Sequence, residues 1–465
     1  MNERIHGRNF RQVHAARREL LAQPDLCFGK LLPRSTIQAA LNRHPLVFRD
    51  CLYTPLLTLW TFLYQTLCPD PSCRAAVARL LAFLGVRGDA SASPQTGPYC
   101  KARQRIPEAL VADLARHSGR TLQERFPTTD LLGGRPIKIV DGTTVSMPDT
   151  PANQKAYPQQ PSQKPGLGFP ILRLVAVMSL SCGAVLDAAW GAYAGKRTGE
   201  TSLLRQLLDL FERGDVALAD GMFANYWTMA DLLARGVDVL AKCDGKRRSD
   251  FRTGRRLGLK DHVTLWPKPP RPYWMSPAEY RRMPETLCIR EVAVKVQQPG
   301  FRTREVVMVT TLLDPQTYPK AELAAAYRAR WHAELDLRSI KQVMAMDVLR
   351  CKTPAMVHKE IWMHLLAYNL IRTLLADAAC AAGAQPRQLS FKGALQTLNA
   401  FAAVWSLATL PCQRLYTMIL QAIACHRVAD RPDRIEPRAV KRRPKKLIYL
   451  TEPRHKAKSR LLMGS

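Results

Sequence analysis

From Ile137 onward the apolar residues of the chain change period, and this change limits the folds open to it more than any other feature. "IKIVDGTTVSMP" is a short β-branched run that ends in a turn, and "PILRLVAVMSLS" and "AVLDAAWGAYA" read as two further strands joined at Cys182 and Gly183. A helix ("GETSLLRQLLDLFERG"), a strand ("DVALAD"), a second helix ("ANYWTMADLLARG") and a last strand ("VDVLAK") come next. Three strands in succession without a helix are expected to pair as an antiparallel meander. The later strands, each reached through a helix, are expected to return parallel.

The order β-β-β-α-β-α-β is that of an RNase H-like core, so the expected fold class is α/β. After Lys242 the pattern breaks into "CDGKRRSDFRTGRR" and the Pro-rich "WPKPPRPYW". Two more strands are expected after these, "TLCIREVAVKVQ" and "REVVMVTTLL", joined through "QPGFRT". Residues 243–316 are therefore expected to form a β-rich insertion that interrupts a catalytic core made of residues 126–242 and 317–378. Residues 1–125 read as a helical N-terminal region suited to binding DNA. Residues 379–465 read as a helical C-terminal region that carries a basic tail.

Charge narrows the partner. The 465 residues include 69 Lys and Arg against 38 Asp and Glu, a formal charge of +31, which argues for a polyanion. An apolar fraction of 47% is that of a folded protein and not of a basic tail alone. The apolar runs do not suit a bilayer: "PLLTLWTFLYQTL" is too short, and "IWMHLLAYNLIRTLLADAA" carries His364, Arg372 and Asp377. The opening residues lack an apolar signal core. Double-stranded DNA is thus the expected partner, with no membrane. Residues 427–460 hold 13 Lys and Arg against 4 Asp and Glu, as a phosphate-binding arm would. The 12 cysteines include no C-x-x-C pair, and Cys68 and Cys73 lack a second pair to complete a zinc site. A reduced, cytosolic protein is expected.

Some chemistries are excluded. "GAYAGKR" has three residues between its glycines where a phosphate loop needs four, and Arg197 where Ser or Thr would bind magnesium. Neither G-x-S-x-G nor H-E-x-x-H occurs. What remains is a set of carboxylates. Asp141 ends the run "IKIV" and Asp220 ends "VALA", each succeeded by Gly, so each should emerge at the carboxyl rim of the sheet, where ligand sites of open α/β sheets lie. The segment "AYRARWHAELDLRSIKQ", residues 326–342, reads as one helix. At about 100° per residue its Tyr327, Arg330, Glu334 and Lys341 would fall within roughly 60° of one another. A stripe holding a phenol, two cations and a carboxylate does not suit a hydrophobic core. Phosphodiester chemistry is served by two divalent cations about 4 Å apart, and Mg²⁺ prefers carboxylate and water ligands. Three carboxylates from separate elements would make such a cage.

Tyr327, two residues, Arg330, three residues, Glu334, six residues, Lys341 matches the Y-(2)-R-(3)-E-(6)-K signature of IS4-family DDE transposases, and the flanking sequence resembles that family. "IVDGTTVSMPDT" and "LADGMFANYW" resemble the segments that carry its first two aspartates, so the likeness runs over roughly residues 50–450. It implies that Asp141, Asp220 and Glu334 form the catalytic, metal-binding triad and that Tyr327, Arg330 and Lys341 contact the transposon end. It also implies two Mg²⁺ ions, with Mn²⁺ able to substitute, and a homodimer when two ends are synapsed. The partners would be terminal inverted repeats and target DNA, in a bacterial cytoplasm and at the nucleoid. One departure is that many relatives have Arg after the second aspartate, where this chain has Gly221. Two alternatives to a transposase are a structure-selective nuclease of the same fold and a non-catalytic DNA-binding protein derived from a transposase.

Overall fold

In the computed structural model the described residues are 28–48, 51–86, 92–245, 247–295, 305–405, 412–428 and 450–463. The first 27 residues, the "QPGFRT" connection and most of the basic tail lie outside them. The described N-terminal part is helical: α1 (Phe28–Leu31), α2 (Arg34–Arg43), α3 (Pro55–Leu67), α4 (Cys73–Val86), α5 (Thr96–Arg105) and α6 (Glu108–Arg125). Then come β1 (Ile137–Ser146), α7 (Pro151–Ala156), β2 (Ile171–Ser179), β3 (Val185–Ala192), α8 (Glu200–Leu204), β4 (Val216–Ala219), α9 (Tyr226–Ala234) and β5 (Asp238–Lys242).

Strands β1, β2 and β3 pair antiparallel, while β4 lies parallel to β1 and β5 parallel to β4. The order β3-β2-β1-β4-β5 is the meander with crossovers on which the RNase H-like expectation rests. The turn from β2 to β3 passes through Gly183 at φ +77°, a left-handed conformation that side chains with a Cβ rarely take.

Residues 243–316 do not form a sheet of their own. They contribute β6 (Arg255–Gly258), β7 (Asp261–Pro267), α10 (Pro277–Arg282), β8 (Thr286–Lys295) and β9 (Glu305–Thr310). Because β9 pairs antiparallel with β5, these strands extend the core sheet to nine, in the order β3-β2-β1-β4-β5-β9-β8-β7-β6. Strands β6 and β7 were not expected, since β6 is short with two arginines and β7 runs into the Pro-rich stretch. A buried pair holds the extension: Arg290 Nε donates to Asp261 Oδ1 at 2.8 Å, and Arg290 is fully buried.

The chain continues through α11 (Lys320–Ala329), α12 (Trp331–Arg338), a wide π-turn at Ser339–Val343, α13 (Pro354–Ala381), α14 (Phe391–Trp405), α15 (Cys412–Ala424) and α16 (Arg454–Met463). Alternation along the strands separates two cores. Ile137, Ile139, Leu172, Leu174, Val216 and Leu218 face one side, packed with residues of α6 and α13. Val140, Val175, Val177, Ala217 and Ala219 face the other, packed with residues of α8 and α9. A layer of helices on each face of a mixed sheet makes this an α/β protein. Helix α13 is 28 residues long but buries Lys359, Glu360, His364 and Arg372, and among the described residues no helix is long and apolar enough to cross a membrane.

Candidate active site

Strand register brings the two aspartates together. The parallel pairing of β1 with β4 runs from Ile137 opposite Val216 to Val140 opposite Ala219, so the next step sets Asp141 beside Asp220. By alternation both share the face of Ile139 and Leu218. Each closes the same local contact: Gly142 N donates to Asp141 Oδ1 at 2.8 Å, and Gly221 N donates to Asp220 Oδ1 at 2.7 Å. One oxygen of each carboxylate is thus held by backbone. Gly221 also has a packing reason, since a Cβ there would stand 3.3 Å from the carbonyl oxygens of Lys242 and Cys243.

Helix α12 packs along β1 and carries Glu334. The segment expected as one uniform helix is not uniform. At Arg330 the backbone tightens, with Arg330 N bonded to Tyr327 O and Ala333 N to Arg330 O, each three residues apart. At Ser339–Val343 it widens into the π-turn that contains Lys341. Both departures rotate the side chains relative to an ideal wheel, and π-turns recur at functional positions. Tyr327 and Arg330 stay together, with the guanidinium 5.9 Å from the ring centre.

The centre of the site is that guanidinium. Arg330 Nη2 donates to Glu334 Oε1 at 2.9 Å, and Nη1 stands 3.8 Å from Asp141 Oδ2. Burial pushes the Asp141 carboxyl up to about 6; the Gly142 N–H and Arg330 pull it down, while Glu334 and Asp220 raise it further. Burial likewise raises the Tyr327 phenol, against Arg330 and with help from Asp220. For Arg330, burial is outweighed by Tyr327, Asp141, Glu334 and Asp220, which hold it above its ordinary value. The site therefore collects anions around one cation. Among the described residues no three His, Cys, Asp or Glu side chains are drawn in as a closed metal cage. A cation nevertheless already stands between two of the carboxylates, and an all-carboxylate donor set suits a hard divalent ion.

Two groups that matter here were not singled out from the sequence. Asp336, fully buried two residues past Glu334, accepts hydrogen bonds from Arg372 on α13 and from Arg387, whose Nη2 also donates to Ser179 O at the end of β2. It ties α12 to α13 and, through Arg387, to the end of β2. Glu200, at the start of α8, lies against Gly142. An acidic residue in a first helical turn reads in sequence as a dipole complement, so only the Gly after Asp141 hinted at a close neighbour.

The Transposase DDE domain family model matches residues 132–370, over half of the chain. The chain is similar to the transposase InsG for insertion sequence element IS4 of Escherichia coli (strain K12), at 26% identity over 365 residues, 76% of this chain and 78% of that one. It is also similar to the transposase for insertion sequence element IS421 of Escherichia coli, at 33% identity over 80 residues, 17% of this chain and 22% of that one. Against the piggyBac transposase synaptic complex with hairpin DNA, the TM-score is 0.44 at 10% identity, covering 93% of this chain and 89% of that one, a likeness too loose to bear on the assignment. On the family match, which includes Asp141, Asp220, Glu334 and the whole Tyr327-to-Lys341 signature, the chain belongs to the DDE transposase family, as an IS4-type member.

Proposed function

We propose that this DNA transposase does its chemistry at Asp141, Asp220 and Glu334 in an RNase H-like core, with two Mg²⁺ ions as its cofactor. DDE transposases depend on divalent metal in general, and the three carboxylates are the residues that would hold it. The single observation that carries the reading is the Arg330 guanidinium between Asp141 and Glu334, with Asp220 set beside Asp141 by the register of β1 and β4. Bound there, the cations would supply the positive charge that activates an attacking oxygen and stabilises a leaving one.

The chain's own residues would then divide the work. Asp141 and Asp220 each keep one oxygen on a backbone N–H, which fixes their orientation before any ligand arrives. Arg330, as a planar fork, and Lys341 would grip phosphate oxygens on either side of the scissile bond. Tyr327 would add a hydroxyl to the same strand. Hydrolysis at the element's end frees a 3′-hydroxyl, and that hydroxyl attacks a second phosphodiester and displaces its 3′-oxygen, joining end to target. Residues 1–125 and the basic tail are proposed to hold terminal inverted repeats, as a homodimer during synapsis in the bacterial cytoplasm.

The test is cleavage and gel-shift on one end fragment with Asp141→Asn, Asp220→Asn and Glu334→Gln. Each should abolish cutting and leave end binding largely intact. Near-normal cutting by any of them removes that residue from the triad.

A further inference from the structure

We infer that Glu200 is a fourth carboxylate of this metal site, acting with Asp141 and Asp220; the inference rests on the metal-site reading above. The first observation is a missing side chain. A Cβ built on Gly142 would lie 2.6 Å from Glu200 Cδ, 2.8 Å from Oε1 and 2.9 Å from Oε2. The Glu200 carboxylate thus fills the space that any other residue after Asp141 would occupy, flat against β1 at the position next to the first aspartate. Glycine is needed here because of the group that approaches it, and not because of a turn.

The second observation is that this carboxylate has, among the described residues, no hydrogen-bond donor and only one long ion pair. Its side chain is 24% exposed, its one ion pair is a long one to Arg173 Nε at 3.9 Å, and among the described residues nothing donates a hydrogen bond to it. Arg173 is shared, since its Nη1 also donates to Thr198 O at 3.0 Å. A half-buried carboxylate without donors is costly unless a cation satisfies it. Helix α8 also packs on the turn Gly221–Phe223 just past Asp220. Glu200 therefore flanks both aspartates from the opposite helical layer to α12, and the four carboxylates would close the site from both faces of the sheet.

The test is Mn²⁺ binding to the full chain without DNA, measured by calorimetry and by the electron spin resonance of bound Mn²⁺. Glu200→Gln removes the ligand charge. Gly142→Ala leaves Glu200 in place but puts a methyl group where its carboxylate rests; a glutamate head is free to swing away, so the fold should survive. Each variant is expected to weaken Mn²⁺ binding by at least about tenfold, as loss of a group that supports a metal ligand does, with little change in metal-free melting. Binding equal to wild type in Glu200→Gln, while Asp141→Asn loses it, overturns the role of Glu200 and keeps the three-carboxylate site. If Asp141→Asn binds Mn²⁺ as wild type does, the three-carboxylate reading itself fails.

Discussion

Arg330 and Glu334, four residues apart on adjoining helical segments, are joined by a 2.9 Å hydrogen bond from Nη2 to Oε1. An i,i+4 pair on a solvated helix contributes only a few tenths of a kcal/mol. This one is different, because the same guanidinium also faces Asp141 and is only 16% exposed. Arg330 stands where a cation between Asp141 and Glu334 would stand. Without DNA, Arg330→Ala should therefore tighten Mn²⁺ binding, by about ten- to a hundredfold if a partly buried charge-assisted bond of roughly 1.5–3 kcal/mol is what a metal must displace. Calorimetry on the DNA-free chain decides it: unchanged or weaker affinity would mean that Arg330 does not compete for the carboxylates.

Arg330→Lys separates charge from shape. A lysine keeps the attraction to phosphate but loses the planar fork, so single-turnover cleavage of an end should fall clearly while nonspecific DNA affinity changes little. Wild-type rates in both cleavage and strand transfer would remove the fork from the mechanism.

Tyr327→Phe deletes one hydroxyl from a phenol whose ring stays packed beside Arg330. If that hydroxyl bonds a phosphate, the loss is on the order of 0.5–3 kcal/mol in end processing. The readout is single-turnover cleavage on intact and pre-nicked ends, compared with the wild type. Wild-type rates on both substrates would assign Tyr327 to packing alone.

Much of this site was legible in the sequence because it depends on local rules. Asp141 and Asp220 end apolar runs and precede glycines, and a strand that ends at a sheet rim exposes the residue at its carboxyl end. Alternation then sets both on one face, which the parallel register of β1 and β4 turns into adjacency. The helix with Glu334 was legible by propensity, but its tightening at Arg330 and widening at Lys341 were not. Those depend on packing against β1 and α13, and no single-sequence period encodes them. Strands β6 and β7 were missed for a related reason: Arg255 and Arg256 are exposed edge residues, held extended by the pairing of β6 with β7, and propensity alone would not keep them so. Glu200 and Asp336 owe their importance to residues far away in the chain, Gly142 and the pair Arg372 and Arg387, so no spacing rule could have found them.

Asp336→Asn should be strongly destabilising. The carboxylate is fully buried and neutralises two arginines, Arg372 and Arg387, the first itself buried against Tyr368 with Nε donating to its hydroxyl at 2.7 Å. Breaking a buried pair leaves uncompensated charge and costs about 3–5 kcal/mol. Denaturant unfolding measures it, and a loss below about 1 kcal/mol, the range of an exposed pair, would show that solvent reaches the cluster.

Acid acts on the same cluster through a histidine. His332, on α12 with Asp336, is pulled down from 6.5 to about 4, chiefly by burial and next by the Arg387 charge; Asp336 opposes this and Arg372 adds to it. The folded protein therefore keeps this imidazole neutral where the unfolded chain would protonate it. Stability rises with pH wherever the unfolded state binds more protons. Between pH 6.5 and about 4 the contribution of His332 thus falls as acid is added, and below about 4 it levels off. His332→Gln has no proton to take up in either state, so its melting temperature should drop less than that of the wild type over this window, while the two curves run parallel above about pH 7, where neither state binds that proton. Melting measured across a pH series compares them. If the wild type and the variant lose stability with the same slope between pH 6.5 and about 4, the imidazole reaches water in the folded protein and the cluster around Asp336 is more open than its geometry implies.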